Sequence, residues 1–342
     1  MNYSKIAFVT PARLGFAQCH ARTAHASRRA VLLRISAVTS NVVSMRRLTR
    51  AIFAFVVVLF VLALAPSARA ALGRIECRST HSQILQRDVR FCAILPPSYD
   101  SAKSRRYPVV YFLHGLGGNE QFLVSSGGWN LIEDLWQQRK IGEFLIVTPD
   151  AETSFYINSF DGRDRYEDFF IREFIPFIDR SYRTSPLRRA RGIAGISMGG
   201  YGALHIAFHH PELFASVSAN SAALFDKFPD VKVANPQQSG LLRALRAFGT
   251  PPDPAFWHRN DPLALARTAN FAGLRIYFDC GAQDDFGFER GASALDEILS
   301  ARKIPHEFHL LPGGHDWQYF ASRFPAVFEF HSRAFDLNPA GP

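Results

Sequence analysis

Six short apolar runs, each followed by a longer amphipathic or helix-compatible stretch, constrain this chain more than any other feature. They are "YPVVYFLHG" (107–115), "EFLIVTPD" (143–150), "ARGIAGIS" (190–197), "LFASVSANS" (213–221), "LRIYFDCG" (274–281) and "HEFHLLPGG" (306–314). Runs this short and this apolar suit strands buried on both faces of a parallel sheet. Stretches such as "RYEDFFIREFIPFIDRSY" (165–182) and "ERGASALDEILSARK" (289–303) carry the helical period. Strand–helix alternation predicts one open, mostly parallel α/β sheet with helices on both faces. Two alternating segments at its front, "GRIECRST" and "RDVRFCAILPP", predict an antiparallel edge hairpin. The segment 224–262, rich in proline and polar residues, follows a strand end on the expected ligand rim and reads as a small cap insertion.

Upstream of the alternating region the chain reads as a targeting segment. "MRRLTR" (45–50) is a cationic lead, "AIFAFVVVLFVLALA" (51–65) an unbroken apolar run, and "ARA" (68–70) a small-x-small cleavage pattern. The apolar run is shorter than the ~20 residues of a spanning helix, although an uncleaved anchor is the alternative. The expected organisation is an upstream extension over 1–44 with Met45 as the true start, a signal peptide over 45–70, and one domain over 71–337. The protein is then exported to the periplasm or the extracellular space, with no stable membrane insertion of the mature chain. The formal net charge of +9 resides in the leader. Past position 70 there remain 29 basic and 30 acidic residues, a net charge of −1, which removes the case for nucleic acid. A turn between the two edge segments would set Cys77 opposite Cys92, and export permits a disulfide there; sequence alone leaves the pair bonded or free.

Three residues with the chemistry of nucleophilic catalysis fall at predicted strand ends. Ser197 closes "RGIAGIS", Asp284 follows "YFDCGAQD", and His315 follows "HLLPGGH". Ligands bind beyond the carboxyl ends of strands in open α/β sheets, and the order Ser–Asp–His is that of α/β-hydrolases. In "GISMG" the residues two before and two after the serine, Gly195 and Gly199, are small, as a sharp strand-to-helix turn requires. A serine is a poor nucleophile alone, so Ser197 needs His315 as base, and His315 needs Asp284 to fix its tautomer. Asp279 and Asp285 neighbour that acid. The backbone N–H groups of Met198 and of Leu116 in "HGLGGN" are the expected oxyanion donors. His114 is expected to brace that loop.

The segments "LPPSYD", "YPVVYFLHGLGGNE", "TPDAETSFYINS", "RYEDFFIREFIPFID", "GIAGISMGGYGAL", "FWHRNDPLALA", "DCGAQDDF" and "LPGGHDWQYF" together resemble the esterase D (putative esterase) family of α/β-hydrolases. That family includes S-formylglutathione hydrolases, feruloyl and acetylxylan esterases, and antigen 85 mycolyltransferases. The resemblance runs from about Cys92 to Phe335. It implies Ser197, Asp284 and His315 as a triad with amides from Leu116 and Met198, and a serine esterase acting on small-molecule or polysaccharide acyl esters of carbohydrate or hydroxycinnamate type. A glutathione thioesterase and a mycolyl-type acyltransferase are the alternatives within it, and a binding module that keeps the fold is the alternative outside it.

Tyr156 is expected to line the pocket, with Asp150 fixing the loop. Trp317 and Tyr319 either flank the acyl group or pack the last helix. His205 and His209 stand four apart, but no HExxH pattern or carboxylate accompanies them in sequence, so a polar helix face is expected. No metal or cofactor is expected.

Overall fold

The computed structural model describes residues 45, 48–57, 72–228 and 239–337. The chain separates into two units, 1–69 and 70–342. In the first, residues 48–57 are helical; the expected extension over 1–44 and the cleavage site at 68–70 lie outside the described residues. No helix among the described residues is long and apolar enough to cross a membrane.

The second unit is built on an eight-stranded sheet: β1 (Arg74–Ser82), β2 (Arg87–Leu95), β3 (Val109–Leu113), β4 (Leu145–Pro149), β5 (Arg191–Ile196), β6 (Ser216–Asn220), β7 (Arg275–Gly281) and β8 (Glu307–Leu311). Its spatial order is β1-β2-β4-β3-β5-β6-β7-β8. β1 and β2 run antiparallel to their neighbours, and β3 to β8 are parallel. Every residue of β3, β4, β5 and β6 is buried, as their unbroken apolar runs require. β8 departs from that expectation, because it is the sheet edge and all five of its residues are partly or fully exposed. In the hairpin, Cys77 and Cys92 face each other in register and are joined as a disulfide, and among the described residues Cys280 is free and buried.

The core lies in two layers, one on each sheet face. On one face Tyr111, Ile193 and Val217 meet Phe170, Phe174 and Leu204. On the other, Val110, Phe112 and Ala194 meet Ile132, Leu135, Phe324 and Phe328 of the helices Gly128–Gln137 and Trp317–Ala334. A fully buried side chain of this size contributes about 1.5–3 kcal/mol. The predicted helix over 165–182 forms as Tyr166–Phe169, a π turn Phe170–Phe174 and Ile175–Ser181. The wider turn accommodates Pro176, which has no N–H to continue the helical ladder.

From β3 the chain crosses to β4 on one side and reaches β5 on the other, so loops after β3 and β5 leave toward opposite faces. Such a reversal opens a crevice at the carboxyl ends of the two strands. Ser197 and the His114–Gly118 loop border that crevice.

Candidate active site

Ser197 sits between β5 and the helix Met198–His209 with φ 53° and ψ −119°, a conformation a side chain adopts at a cost of about 1–3 kcal/mol. Three backbone hydrogen bonds hold it there. Ser197 N–H donates to Asn220 O (3.0 Å), and Ser197 O accepts from Tyr201 N (3.0 Å) and Ala223 N (2.9 Å). The flanking glycines are required by contact. A Cβ on Gly195 would lie 2.1 Å from Gly199 O, and one on Gly199 would lie 2.1 Å from Leu113 O.

The loops after β7 and β8 bring the other two residues to this turn. Gln283 N donates to Gly313 O, and Gln283 Oε1 accepts from Gly313 N, each at 3.0 Å. His315 Nε2 then lies 2.9 Å from Ser197 Oγ, and His315 Nδ1 lies 2.7 Å from Asp284 Oδ2. Asp284 Oδ1 accepts from Phe286 N at 3.0 Å. Burial acts to raise the Asp284 carboxyl, but the bond and charge of His315 and the amide donors at Phe286 and Phe288 outweigh it. The group is held below the usual carboxylate range. Its charge therefore persists at neutral pH, which fixes the proton of His315 on Nδ1 and leaves Nε2 free to accept from serine.

The two neighbouring acids take other work. Asp285 Oδ2 accepts from the backbone N–H of His315 at 3.4 Å. Asp279 is buried in a separate network, accepting from Tyr277 and Tyr319 hydroxyls and from Asn220 Nδ2. Burial pushes its carboxyl up.

A cavity of about 140 Å³ opens on Ser197 and His315, with Leu116 and Met198 in its wall. Met198 is the first residue of its helix, where N–H groups have no intrahelical acceptor. Gly118 N–H closes the preceding loop by donating to Gly115 O (3.0 Å). Below it, His114 donates Nδ1–H to Gly115 O (2.9 Å) and accepts from Ala151 N at Nε2 (3.0 Å). Both ring nitrogens are thereby engaged in holding the loop. Asp150 ties the same region to Arg90 (2.8 Å).

The aromatic residues differ from expectation. Tyr156 is fully buried and donates its hydroxyl to His114 O (2.9 Å), so it supports the loop from beneath and does not line the cavity. Its neighbour Phe155 lines it instead. Both adopt positive φ, 52° and 62°, and both side chains are fully buried. Trp317 packs on Phe122 and Phe324, and Tyr319 hydrogen-bonds Asp279 Oδ1 (2.9 Å); neither lines the cavity. Sequence reasoning missed Phe286, Phe288 and Phe320, whose rings stand edge-on to the His315 imidazole at 4.8–5.4 Å between centroids. The available signal was "DDFGF", which places two aromatic residues two and four positions after Asp284. Leu241, from the segment read as a cap, and Ala223 complete the apolar wall. Residues 229–238 of that segment lie outside the described residues.

A larger cleft, about 540 Å³, lies elsewhere between Glu167, His209, Phe256 and Arg259. It contains none of the three residues above, so size does not locate the reactive centre here.

A family model described as putative esterase matches residues 82–331, most of the chain. The chain belongs to that esterase family. Esterase Rv1288 of Mycobacterium tuberculosis is 33% identical over 241 residues, covering 65% of this chain and 51% of the relative. The chain thus spans about half the length of that curated relative. S-formylglutathione hydrolase of Mus musculus is 25% identical over 286 residues, covering 76% of this chain and 94% of the relative. Among solved structures, a ferulic acid esterase superposes with TM-score 0.65 at 26% identity, covering 77% of this chain and 99% of that one. Family membership and the mostly parallel sheet agree with the α/β-hydrolase fold read from the sequence.

Proposed function

We propose that this esterase-family chain hydrolyses carboxylic esters through an acyl-enzyme on Ser197. The observation that carries the proposal is the continuous contact of Ser197 Oγ, His315 and Asp284 at 2.9 and 2.7 Å beside an apolar cavity. His315 Nε2 takes the hydroxyl proton as Oγ attacks the ester carbonyl, and returns it to the leaving alcohol. Asp284 orients the ring and stabilises the imidazolium, while Met198 and Leu116 N–H groups receive the oxyanion. Water then enters, activated by the same nitrogen, and releases the acid.

The cavity walls of Phe155, Phe286 and Phe288 suit the acyl half of a short-chain or hydroxycinnamate ester. The alcohol half, a carbohydrate in this reading, leaves toward solvent. Names among the similar proteins, ferulic acid esterase and acetyl esterase, support that class. An S-formylglutathione hydrolase activity is the second reading, since relatives of that name match nearly their whole length. The Cys77–Cys92 disulfide favours an oxidising compartment, and with the apolar leader it supports export and the first reading.

A fluorophosphonate probe is expected to label the protein once, at Ser197, with labelling lost in Ser197→Ala. Turnover is then compared on p-nitrophenyl acetate, methyl ferulate, acetylated xylan and S-formylglutathione. Labelling that survives Ser197→Ala overturns the mechanism, and fastest turnover on the thioester overturns the substrate class.

A further inference from the structure

The helix that begins at Ser197 ends in a second histidine–carboxylate cluster that the proposed chemistry does not use. His205 and His209 stand one turn apart on Met198–His209, with ring centroids 4.3 Å apart, and His210 follows. The carboxylate missing from the local sequence arrives from 38 residues earlier. Glu167 Oε2 is 3.1 Å from His205 Nε2, and Glu167 Oε1 is 3.0 Å from both His209 Nδ1 and His210 Nε2. His205 and Glu167 are buried while His209 reaches the surface, so the expected polar helix face holds for His209 and not for His205.

The proton count at His205 is the informative point. Its Nδ1 lies 2.8 Å from the backbone carbonyl of Asn260, an obligate acceptor, so Nδ1 carries a hydrogen. A neutral ring then has a bare lone pair on Nε2, and that lone pair faces a carboxylate oxygen. Two lone pairs 3.1 Å apart repel. A proton or a metal ion must therefore stand between them, and the buried position of the contact leaves no room for water to do so.

We propose that Glu167, His205 and His209 bind a divalent transition-metal ion of the zinc type. Their ligand atoms all lie within 4.8 Å of one another, and side-chain rotation that closes the widest pair by about 1.5 Å brings them to the ~3.3 Å separations of a tetrahedral site. Two imidazoles with one carboxylate favour zinc, cobalt, nickel or copper over magnesium or calcium, which prefer oxygen alone. The surrounding hydrogen bonds are those a metal site uses to orient its ligands. His205 Nδ1–H donates to Asn260 O, and His210 donates to the second oxygen of Glu167. His209 and Glu167 also line the 540 Å³ cleft, which supplies an entry path and a position for a water ligand. The ion joins the helix after the nucleophile to Tyr166–Phe169, with the end of Pro254–Asn260 held behind it, and it takes no part in the ester chemistry.

The test is metal titration of untagged, chelator-treated protein. Zn²⁺ is expected to bind one ion per chain and to raise the melting temperature. Co²⁺ is expected to give the intense visible bands of a four-coordinate site rather than the faint spectrum of the hydrated ion. His209→Ala, at a partly exposed position, is expected to weaken Zn²⁺ binding by about a hundredfold, and Glu167→Gln is expected to do the same. Melting without metal establishes that each variant is folded. A Zn²⁺ affinity in the parent no tighter than in both folded variants overturns the site, as does an octahedral Co²⁺ spectrum. The cluster is then a hydrogen-bonded group of three histidines around Glu167.

Discussion

The two ends of the helix Met198–His209 carry histidine–carboxylate systems built to opposite plans. At its start, one carboxylate, Asp284, serves one imidazole, and the far ring nitrogen meets a hydroxyl beside a cavity. At its end, one carboxylate, Glu167, is shared by three imidazoles, and no hydroxyl completes the relay among the contacts they make. Short hydrogen bonds between histidine and carboxylate therefore do not make a catalytic centre. What distinguishes the first is a ring nitrogen that meets a serine hydroxyl at the mouth of a cavity, which is the arrangement the proposed chemistry needs. What distinguishes the second is convergence of ligand atoms on one point.

The largest expected effect separates these roles. Ser197→Ala or His315→Ala is expected to lower kcat by about 10⁴- to 10⁶-fold with little change in melting temperature. Asp284→Asn is expected to cost about 10⁴-fold, because the wrong tautomer is then held. Steady-state kinetics on p-nitrophenyl acetate checks all three. A loss below tenfold in Ser197→Ala breaks the comparison.

A second expectation tests the strained turn. Gly199→Ala puts a methyl 2.1 Å from Leu113 O and is expected to destabilise the protein by about 3 kcal/mol or more. Gly117→Ala meets no atom within 4 Å and bears only the strain of φ 82°, about 1 kcal/mol. Urea denaturation of the two variants reads the difference. Equal losses would show that the close approach of Gly199 to Leu113 O is relieved by a small backbone shift.

How these features appeared in the sequence differs in a physically explicable way. The nucleophile turn, the strand ends bearing Asp284 and His315, and the parallel core were legible because local rules govern them. A buried strand needs an apolar run, and a tight turn needs small neighbours. The Glu167 cluster was not legible because its carboxylate joins through tertiary packing, with 38 residues between it and His205. Tyr156 was misassigned for a related reason. Consecutive positive φ values at Phe155 and Tyr156 set which of the two buried rings meets the cavity, and neither position holds a glycine or asparagine to mark that turn. Of the two alternatives for Trp317 and Tyr319, packing of the last helix is the one that holds, and it is Phe320 that this helix presents to His315.

The third expectation concerns pH. Burial acts to raise the Glu167 carboxyl, but the charge and hydrogen bonds of the three histidines overcome it and hold it well below its ordinary value of 4.5. A carboxylate lowered on folding contributes stability above its unfolded pKa and loses that contribution as pH falls. In chelator, the parent is therefore expected to lose melting temperature below about pH 5 more steeply than Glu167→Gln. His210 carries the opposite sign. Its bond to Glu167 raises it, so its contribution is present at low pH and fades as pH rises through the raised value. Parallel acid limbs in parent and variant would show that Glu167 is not the group responsible.

The smallest expected effect separates adjacent residues. Tyr156→Phe removes one hydroxyl donated to His114 O and is expected to cost about 1 kcal/mol of stability. Phe155→Ala enlarges the acyl cavity and is expected to raise KM for small acyl esters severalfold more than Tyr156→Phe does. The reverse ranking in KM would return Tyr156 to the pocket.

The proposed acyl-enzyme is covalent, and mass spectrometry of the intact protein detects it directly. Protein mixed with excess p-nitrophenyl acetate and quenched in acid within the first turnover is expected to gain the mass of one acetyl group. Peptide mapping is expected to place that group on Ser197, with none in Ser197→Ala. Release of p-nitrophenol at a catalytic rate with no adduct, or an adduct on any other residue, contradicts the account.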